Sequence, residues 1–328
     1  MRITVTLCAF IALVGCSRSE VAEKTFPAMG GIPFTIKAYD VPPSLFDETA
    51  QNIEQEVLRL EKIFSRHDAT SELARINAQT GGMASDEMMA LVRLSLRFST
   101  ETDGAFDITV GPLVDLYSLC EKQKRPPTPE EIEQRLAIVG YRNISLSGER
   151  KIAFQQPNVS LDFGGIAKGY IADAAARMMK RQGIRRGIAD AGGNLVLFNS
   201  VGEEPFKVGV KNPEDPTKNY AVMTLDSGGV ATSGCYERYY RFPGASACHV
   251  LDPRTGLPSD SLLSATVTAQ EGVAADALTT ACLVMGIEKC KALVNSLPGV
   301  EAFLIWKEEG RIQSWLSEGL QGKVRILE

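Results

Sequence analysis

The 328-residue chain carries 35 Lys and Arg against 40 Asp and Glu, giving a net charge of −5 and a pI near 5.4. That balance excludes the basic stripe of a nucleic-acid-binding surface, so no nucleic-acid partner is expected. With 44% hydrophobic and 23% charged residues the composition is globular, and beyond the N-terminal residues no stretch is long and uncharged enough to span a bilayer.

The chain opens with Arg2, an apolar stretch from Ile3 to Leu13, and small residues leading into Cys16. This resembles a bacterial lipoprotein signal, cleaved ahead of Cys16 with lipid placed on that thiol. The organisation expected is a signal peptide over 1–15, a lipidated Cys16 with a polar tether over 16–25, and one domain over 26–328. The mature chain is then anchored through lipid to a membrane of the cell envelope and faces the periplasm. Cys120, Cys235, Cys248, Cys282 and Cys290 have no metal-type spacing and read as core or incidental residues rather than a disulfide framework.

Ile53, Val57, Leu60 and Phe64 share one face of a helix predicted over Leu45 to Phe64, and a second helix is predicted around Met88 to Phe98. Thr128-Pro129-Glu130-Glu131 reads as a capping box that opens a helix through Ile132 and Leu136. Two short strands around a turn are predicted within Ile152 to Phe163, followed by a helix through Ala174 to Met179. Strand-like runs follow at 187–190, 195–198, 206–210, 221–225 and 264–269, and an apolar helix at Val273 to Met285. The pattern is α+β, without regular βαβ alternation.

The run Leu161-Asp162-Phe163-Gly164-Gly165-Ile166-Ala167-Lys168-Gly169 places a carboxylate, two glycines and a lysine at the entry to a helix. Glycines let backbone approach a ligand, and a helix start offers free N–H groups to anionic oxygens. Downstream, Asp276 and Thr280 are one turn apart on one helical face, so a carboxylate and a hydroxyl converge as a hard cation requires. Singly, a Gly-Gly turn also serves chain reversal, and an Asp-Thr pair also serves a helix start. The two histidines, His67 after the first helix and His249 in His249-Val250-Leu251-Asp252-Pro253, are the side chains suited to proton transfer near neutral pH. Thr102 to Leu113, Asp190 to Asn194 and Val230 to Arg238 mix small and polar residues, as a pocket lining or an ordinary turn would.

Taken in order, these runs resemble the ApbE-type family of FAD:protein FMN transferases. The resemblance begins at Ala28-Met29-Gly30-Gly31 and ends at Ala275 to Thr280, nearly the whole mature chain. It implies two interlocked lobes in a T-fold-like tandem with the flavin site between them. It also implies a Mg2+-dependent reaction in which FAD is the substrate, a threonine or serine hydroxyl of an acceptor flavoprotein receives FMN, and AMP leaves. The implied acceptor is a subunit of an exported or membrane redox complex. The metal set carried over is Gly165, Asp276 and Thr280. The flavin contacts are Met29, His67, Ala105, Phe106, Asp107, Asp162, Lys168 and Leu251. Lys168 is expected to offset phosphate charge, and His249 or Asp276 to take the acceptor's proton, His249 being the better suited of the two. Gly31, Tyr117 and Cys235 depart from the residues usual at their positions, threonine, tryptophan and an acid or amide; none belongs to the implied metal set. Two other readings stand beside this one: a Mg2+-dependent FAD pyrophosphatase that gives free FMN, and a flavin-binding lipoprotein without turnover.

Overall fold

The structure, a computed structural model, describes residues 20–327. The expected signal over 1–15 and the Cys16 lipidation site lie outside the described residues. In chain order the hairpin β1 (Val21–Ala28) and β2 (Ile32–Tyr39) leads into α1 (Pro43–Phe64), α2 (Glu72–Ala78), β3 (Gly81–Met83) and α3 (Asp86–Glu101). There follow α4 (Gly111–Lys122), α5 (Pro129–Leu136), β4 (Ile144–Ser147), β5 (Lys151–Phe154) and α6 (Ala167–Arg181). Strands β6 (Gly187–Ala191), β7 (Leu195–Phe198), β8 (Phe206–Lys211), β9 (Asn219–Leu225) and β10 (Gly228–Gly234) come next. The chain continues through β11 (Tyr239–Phe242), β12 (Ala245–Cys248), β13 (Ser264–Ala269), α7 (Gly272–Met285) and α8 (Ile287–Ser296). It closes with β14 (Glu301–Glu308), β15 (Arg311–Leu316) and β16 (Val324–Ile326).

An eight-stranded antiparallel sheet of order β1-β2-β6-β7-β10-β13-β14-β15 organises the molecule. Its two halves have the same plan: two strands, then helices, then two more strands. They join where β7 pairs with β10, Val196 opposite Gly229. The α+β class and the tandem arrangement agree with expectation. Strand β14 explains the layering: Ala302 and Leu304 face the helices, while Phe303 and Ile305 face the small sheet β16-β9-β8. Both faces of the large sheet are thus covered at β14, and each large apolar side chain fully buried this way contributes about 2 kcal/mol. Helix α1 presents Phe46, Ile53, Val57, Leu60 and Phe64 to the core, the stripe read from the sequence. Thr128 and Glu131 form the expected capping box at α5.

Three expectations change. Residues 21–25, read as tether, belong to β1, because Thr25 and its neighbours pair along the whole of β2. The two strands sought in 152–163 lie earlier, at β4 and β5. After Phe154 the chain bends and turns over 155–158 and then continues without a strand partner; the Asn77 amide accepts from the Leu161 N–H at 2.8 Å and donates to the Leu161 carbonyl at 3.0 Å. Among the described residues four of the five cysteines pair, as Cys235–Cys248 and Cys282–Cys290, and Cys120 is free and buried. Chain folding brings each pair to a Cα–Cα distance near 5 Å (4.9 and 4.8 Å), which sequence spacing does not reveal.

Candidate active site at the α6–α7 junction

The double-glycine segment is a turn that delivers the chain into α6. Asp162 shapes it: one carboxylate oxygen accepts from the Gly164 N–H at 2.7 Å, the other from Arg66 at 2.6 Å. Arg66 also bonds Asp115 at 2.8 Å and is only 13% exposed, so three distant segments meet at one guanidinium. The Asp162 N–H donates to the Ile108 carbonyl at 2.7 Å, tying the turn to the 105–110 loop.

Helices α6 and α7 then cap each other. Helix α6 has no cap from its own side chains; its Gly169 N–H donates to Asp276 of α7 at 2.9 Å. In return Asp173 of α6 accepts from the Gly272 and Val273 N–H groups at the start of α7, at 2.9 and 2.8 Å. Carboxylates at helix N-termini satisfy free N–H groups and complement the helix dipole. Burial raises the Asp173 carboxyl above its ordinary value, while the two N–H donors oppose that rise. The exchange requires close backbone approach: a Cβ on Gly169 would lie 2.2 Å from the Gly272 carbonyl oxygen.

This junction places the sequence-predicted residues together. A Cβ on Gly165 would lie 2.9 Å from Thr280 Oγ1 and 3.4 Å from the Phe106 ring. Asp276 is 2% exposed; Oδ2 takes the Gly169 N–H, and Oδ1 faces Lys168 Nζ at 3.7 Å, beyond hydrogen-bond reach. Lys168 Nζ donates to the Gly164 carbonyl at 3.0 Å. Gly165, Lys168, Asp276 and Thr280, contributed by stretches more than 100 residues apart, therefore form one cluster with a cation at its rim.

The facing wall comes from the segment after β10. The Ser233 N–H bonds Thr279 Oγ1 of α7 at 3.2 Å, which sets the direction in which the chain leaves the sheet. His249 is half-buried, and its Nδ1 lies 3.0 Å from the Arg238 carbonyl. Burial lowers its pKa from 6.5, and the charges of Arg238 and Lys168 lower it further against the carbonyl's opposing pull. Glu237 is open to solvent but closely surrounded by protein. That reduced hydration raises its carboxyl; Lys168 and Lys211 oppose the rise and Asp276 adds to it, so its charge is felt at the junction.

Of the other expected contacts, Phe106 borders the cluster beside Gly165 and Asp162 shapes the turn that leads into it. Met29 occupies the β1–β2 turn at φ +48° and His67 is exposed after α1. Ala105 and Phe106 are buried. The Asp107 carboxylate accepts from Thr109 and from the Tyr141 N–H at 2.6 Å, so its side chain braces the loop; burial raises its pKa. Leu251 packs in a satellite core with Leu113, Tyr117 and Tyr240. Two surface concavities, of 540 and 410 Å³, lie elsewhere and are lined by none of Gly165, Asp276 or Thr280.

Residues 30–304 match the model of the ApbE family. The chain belongs to the ApbE family. It is 33% identical over 281 residues to the FAD:protein FMN transferase of Escherichia coli K12, covering 82% of this chain and 80% of that one. The ApbE protein of Thermotoga maritima MSB8 superposes with a TM-score of 0.82 at 30% identity, over 93% of this chain and 99% of its own. The flavin transferase ApbE from Vibrio cholerae gives 0.80 at 25% identity, over 93% and 100%.

In this ApbE chain the side-chain donors at the junction are a carboxylate and a hydroxyl, both hard oxygens, with the Gly165 backbone beside the hydroxyl. Asp276 Oδ1 accepts no hydrogen bond from the described residues, which leaves it free for a cation. No group of three or more His, Cys, Asp or Glu side chains among the described residues forms a protein cage. One carboxylate plus neutral oxygens fits Mg2+, which keeps waters and takes substrate phosphate oxygens. Sequence reading passed over Arg66 and Asp173. The first stands beside His67, and the second is one turn beyond Gly169, on the face that meets α7.

Proposed function

We propose that this chain transfers the FMN moiety of FAD to a threonine or serine hydroxyl of an acceptor flavoprotein and releases AMP. The observation that carries this reading is the junction itself, where the Gly165 turn, Lys168, Asp276 and Thr280 converge through mutual helix capping. The breaking bond joins the FMN phosphorus to the bridging oxygen, which departs on AMP. The new bond joins that phosphorus to the acceptor's oxygen. Mg2+ held by the Gly165 carbonyl, Asp276 and Thr280 would neutralise diphosphate oxygens and stabilise charge developing in the transfer. Lys168 supplies a second positive charge at the start of α6, where free N–H groups also favour anions.

His249 takes the acceptor's proton. Its Nδ1 faces a carbonyl, which can only accept, so Nδ1 holds the ring proton and Nε2 is the free base. Its lowered pKa keeps that base available at neutral pH. Positioning of the flavin by Met29, His67, Phe106 and Leu251 between the two halves of the fold is part of the same proposal.

We place the chain at the cell envelope, anchored through lipid on Cys16 and facing the periplasm, with an acceptor in an exported or membrane redox complex. Two disulfides among the described residues suit such an oxidising compartment. Incubation with FAD and Mg2+, with and without an acceptor domain, tests the reaction. AMP release that depends on acceptor, with FMN mass added to a threonine or serine, is the expected result. Free FMN formed without acceptor would make the protein a pyrophosphatase, and bound flavin without AMP would make it a carrier.

A further inference from the structure

The segment that carries Glu237 and His249 leaves the large sheet at Cys235 and returns to the core at Val250, which is buried and whose carbonyl accepts from the Ser259 N–H at 2.9 Å. Strands β11 and β12 form a two-stranded hairpin outside the large sheet, and a pair of strands alone is marginally stable in water. One side of the hairpin is held by Tyr240 and Phe242 in the satellite core and by an Arg241 N–H bond to Glu121 at 2.7 Å. At its base, next to the junction, the covalent link is Cys235–Cys248, 13 residues apart. Cys235 directly follows β10 and donates its N–H to the Leu263 carbonyl, next to β13, at 3.3 Å, so it is tied to the edge of the sheet. Cys248 pairs with Tyr239 across the hairpin, and His249 follows it directly. Glu237 is two residues beyond Cys235. The bond thus joins the edge of the sheet to the peptide unit that holds the imidazole.

We propose that the Cys235–Cys248 disulfide is a positioning clamp for the transfer reaction. It holds His249 against the α6–α7 junction, and it does so without contributing to FAD binding. The proposal rests on the reading above that His249 takes the acceptor's proton. Cys282–Cys290 provides the control, since it joins the end of α7 to the start of α8 inside the core. Opening the clamp leaves the junction, its Mg2+ donors and the β1–β2 turn in place, and it frees the imidazole from its bond to the Arg238 carbonyl.

The test uses the Cys282→Ser, Cys290→Ser protein, so that Cys235–Cys248 is the disulfide left to open. Dithiothreitol reduces it, each cysteine gaining one hydrogen while the reagent closes to its cyclic disulfide, and mass spectrometry confirms the state. Cys235→Ser, Cys248→Ser in the natural background gives the same opening by substitution. The expected result is a fall in kcat of about 10- to 100-fold with the KM for FAD nearly unchanged, as misplacement of a catalytic group by an ångström produces, and recovery on reoxidation. With only two histidines in the chain, 15N imidazole NMR gives an independent readout. The protected Nδ1–H of His249 should be visible in the oxidised protein and lost on reduction.

Unchanged kcat in the opened protein, where His249→Gln is slow, would overturn the clamp alone. Equal losses in kcat and FAD affinity, or loss of the circular-dichroism signal, would make the bond a general staple and also overturn it. If His249→Gln itself retains full kcat, the proton-transfer reading fails, and the clamp with it.

Discussion

The two walls of the site are built by different means. At the α6–α7 junction, buried carboxylates of each helix satisfy the other's N-terminus, and the backbones touch at Gly169 and Gly272. On the facing wall, Glu237 and His249 flank a small, largely exposed hairpin secured by one disulfide, by Tyr240 and Phe242 in the satellite core and by the Arg241–Glu121 bond. The wall proposed to hold metal and diphosphate is part of the core. The wall proposed to admit an acceptor's hydroxyl is attached to that core and open to solvent. Fixed charge is best provided by groups that need no reorganisation, whereas a protein substrate needs room to enter.

Removing the fixed wall's metal ligand should have the largest effect. Asp276→Ala is expected to lower acceptor flavinylation at least about 1,000-fold, or ~4 kcal/mol of transition-state stabilisation, in a protein that still melts cooperatively. His249→Gln comes next, with a loss of about 100-fold in kcat read by single-turnover AMP release. The pH profile sharpens that test. Because burial lowers the His249 pKa, the neutral base persists on the acid side of 6.5, and the rate falls only as pH drops through that lowered value. The Gln variant should lack this limb. For stability the sign is the same: the unfolded chain binds the extra proton first, so acidification between the two pKa values destabilises the fold.

Smaller effects concern the capping itself. Gly169→Ala would drive a methyl into the Gly272 carbonyl and should cost about 2 kcal/mol in chemical denaturation, with a raised Mg2+ requirement. Asp173→Asn can satisfy one of the two N–H groups of α7 but presents a donor to the other. A loss of about 1 kcal/mol in stability and a modest fall in Mg2+ affinity by calorimetry are expected. An Asp173 variant that binds Mg2+ as tightly as the parent would show that the junction does not depend on reciprocal capping.

The difference between the walls also marks what could be read from sequence. Asp276 and Thr280 were legible because helical periodicity aligns them, and Gly164-Gly165 because a double glycine before a helix is a local signal. The α1 stripe and the capping box at Thr128 were equally local. Asp173 was not legible, because its partners lie about 100 residues away and an aspartate in mid-helix resembles a solvated one. The place of Leu161 depended on Asn77, a side chain imitating a strand, which strand patterns do not anticipate. The disulfides escaped for the same reason: hairpin and helix packing, not spacing, bring their sulfurs together. Met29 and Leu251 have no local chemical signature and entered only through the family resemblance, as did a flavin contact for His67, which sequence alone marked only as a proton carrier.

Anomalous diffraction from crystals grown with FAD and Mn2+ in place of Mg2+ would test the central claim most directly. The account predicts a metal peak at a coordination distance of about 2.1 Å from Asp276, with Thr280 Oγ1, the Gly165 carbonyl and a diphosphate oxygen as further ligands. A peak elsewhere on the diphosphate, with Asp276 still engaged only by Gly169 and Lys168, would contradict it.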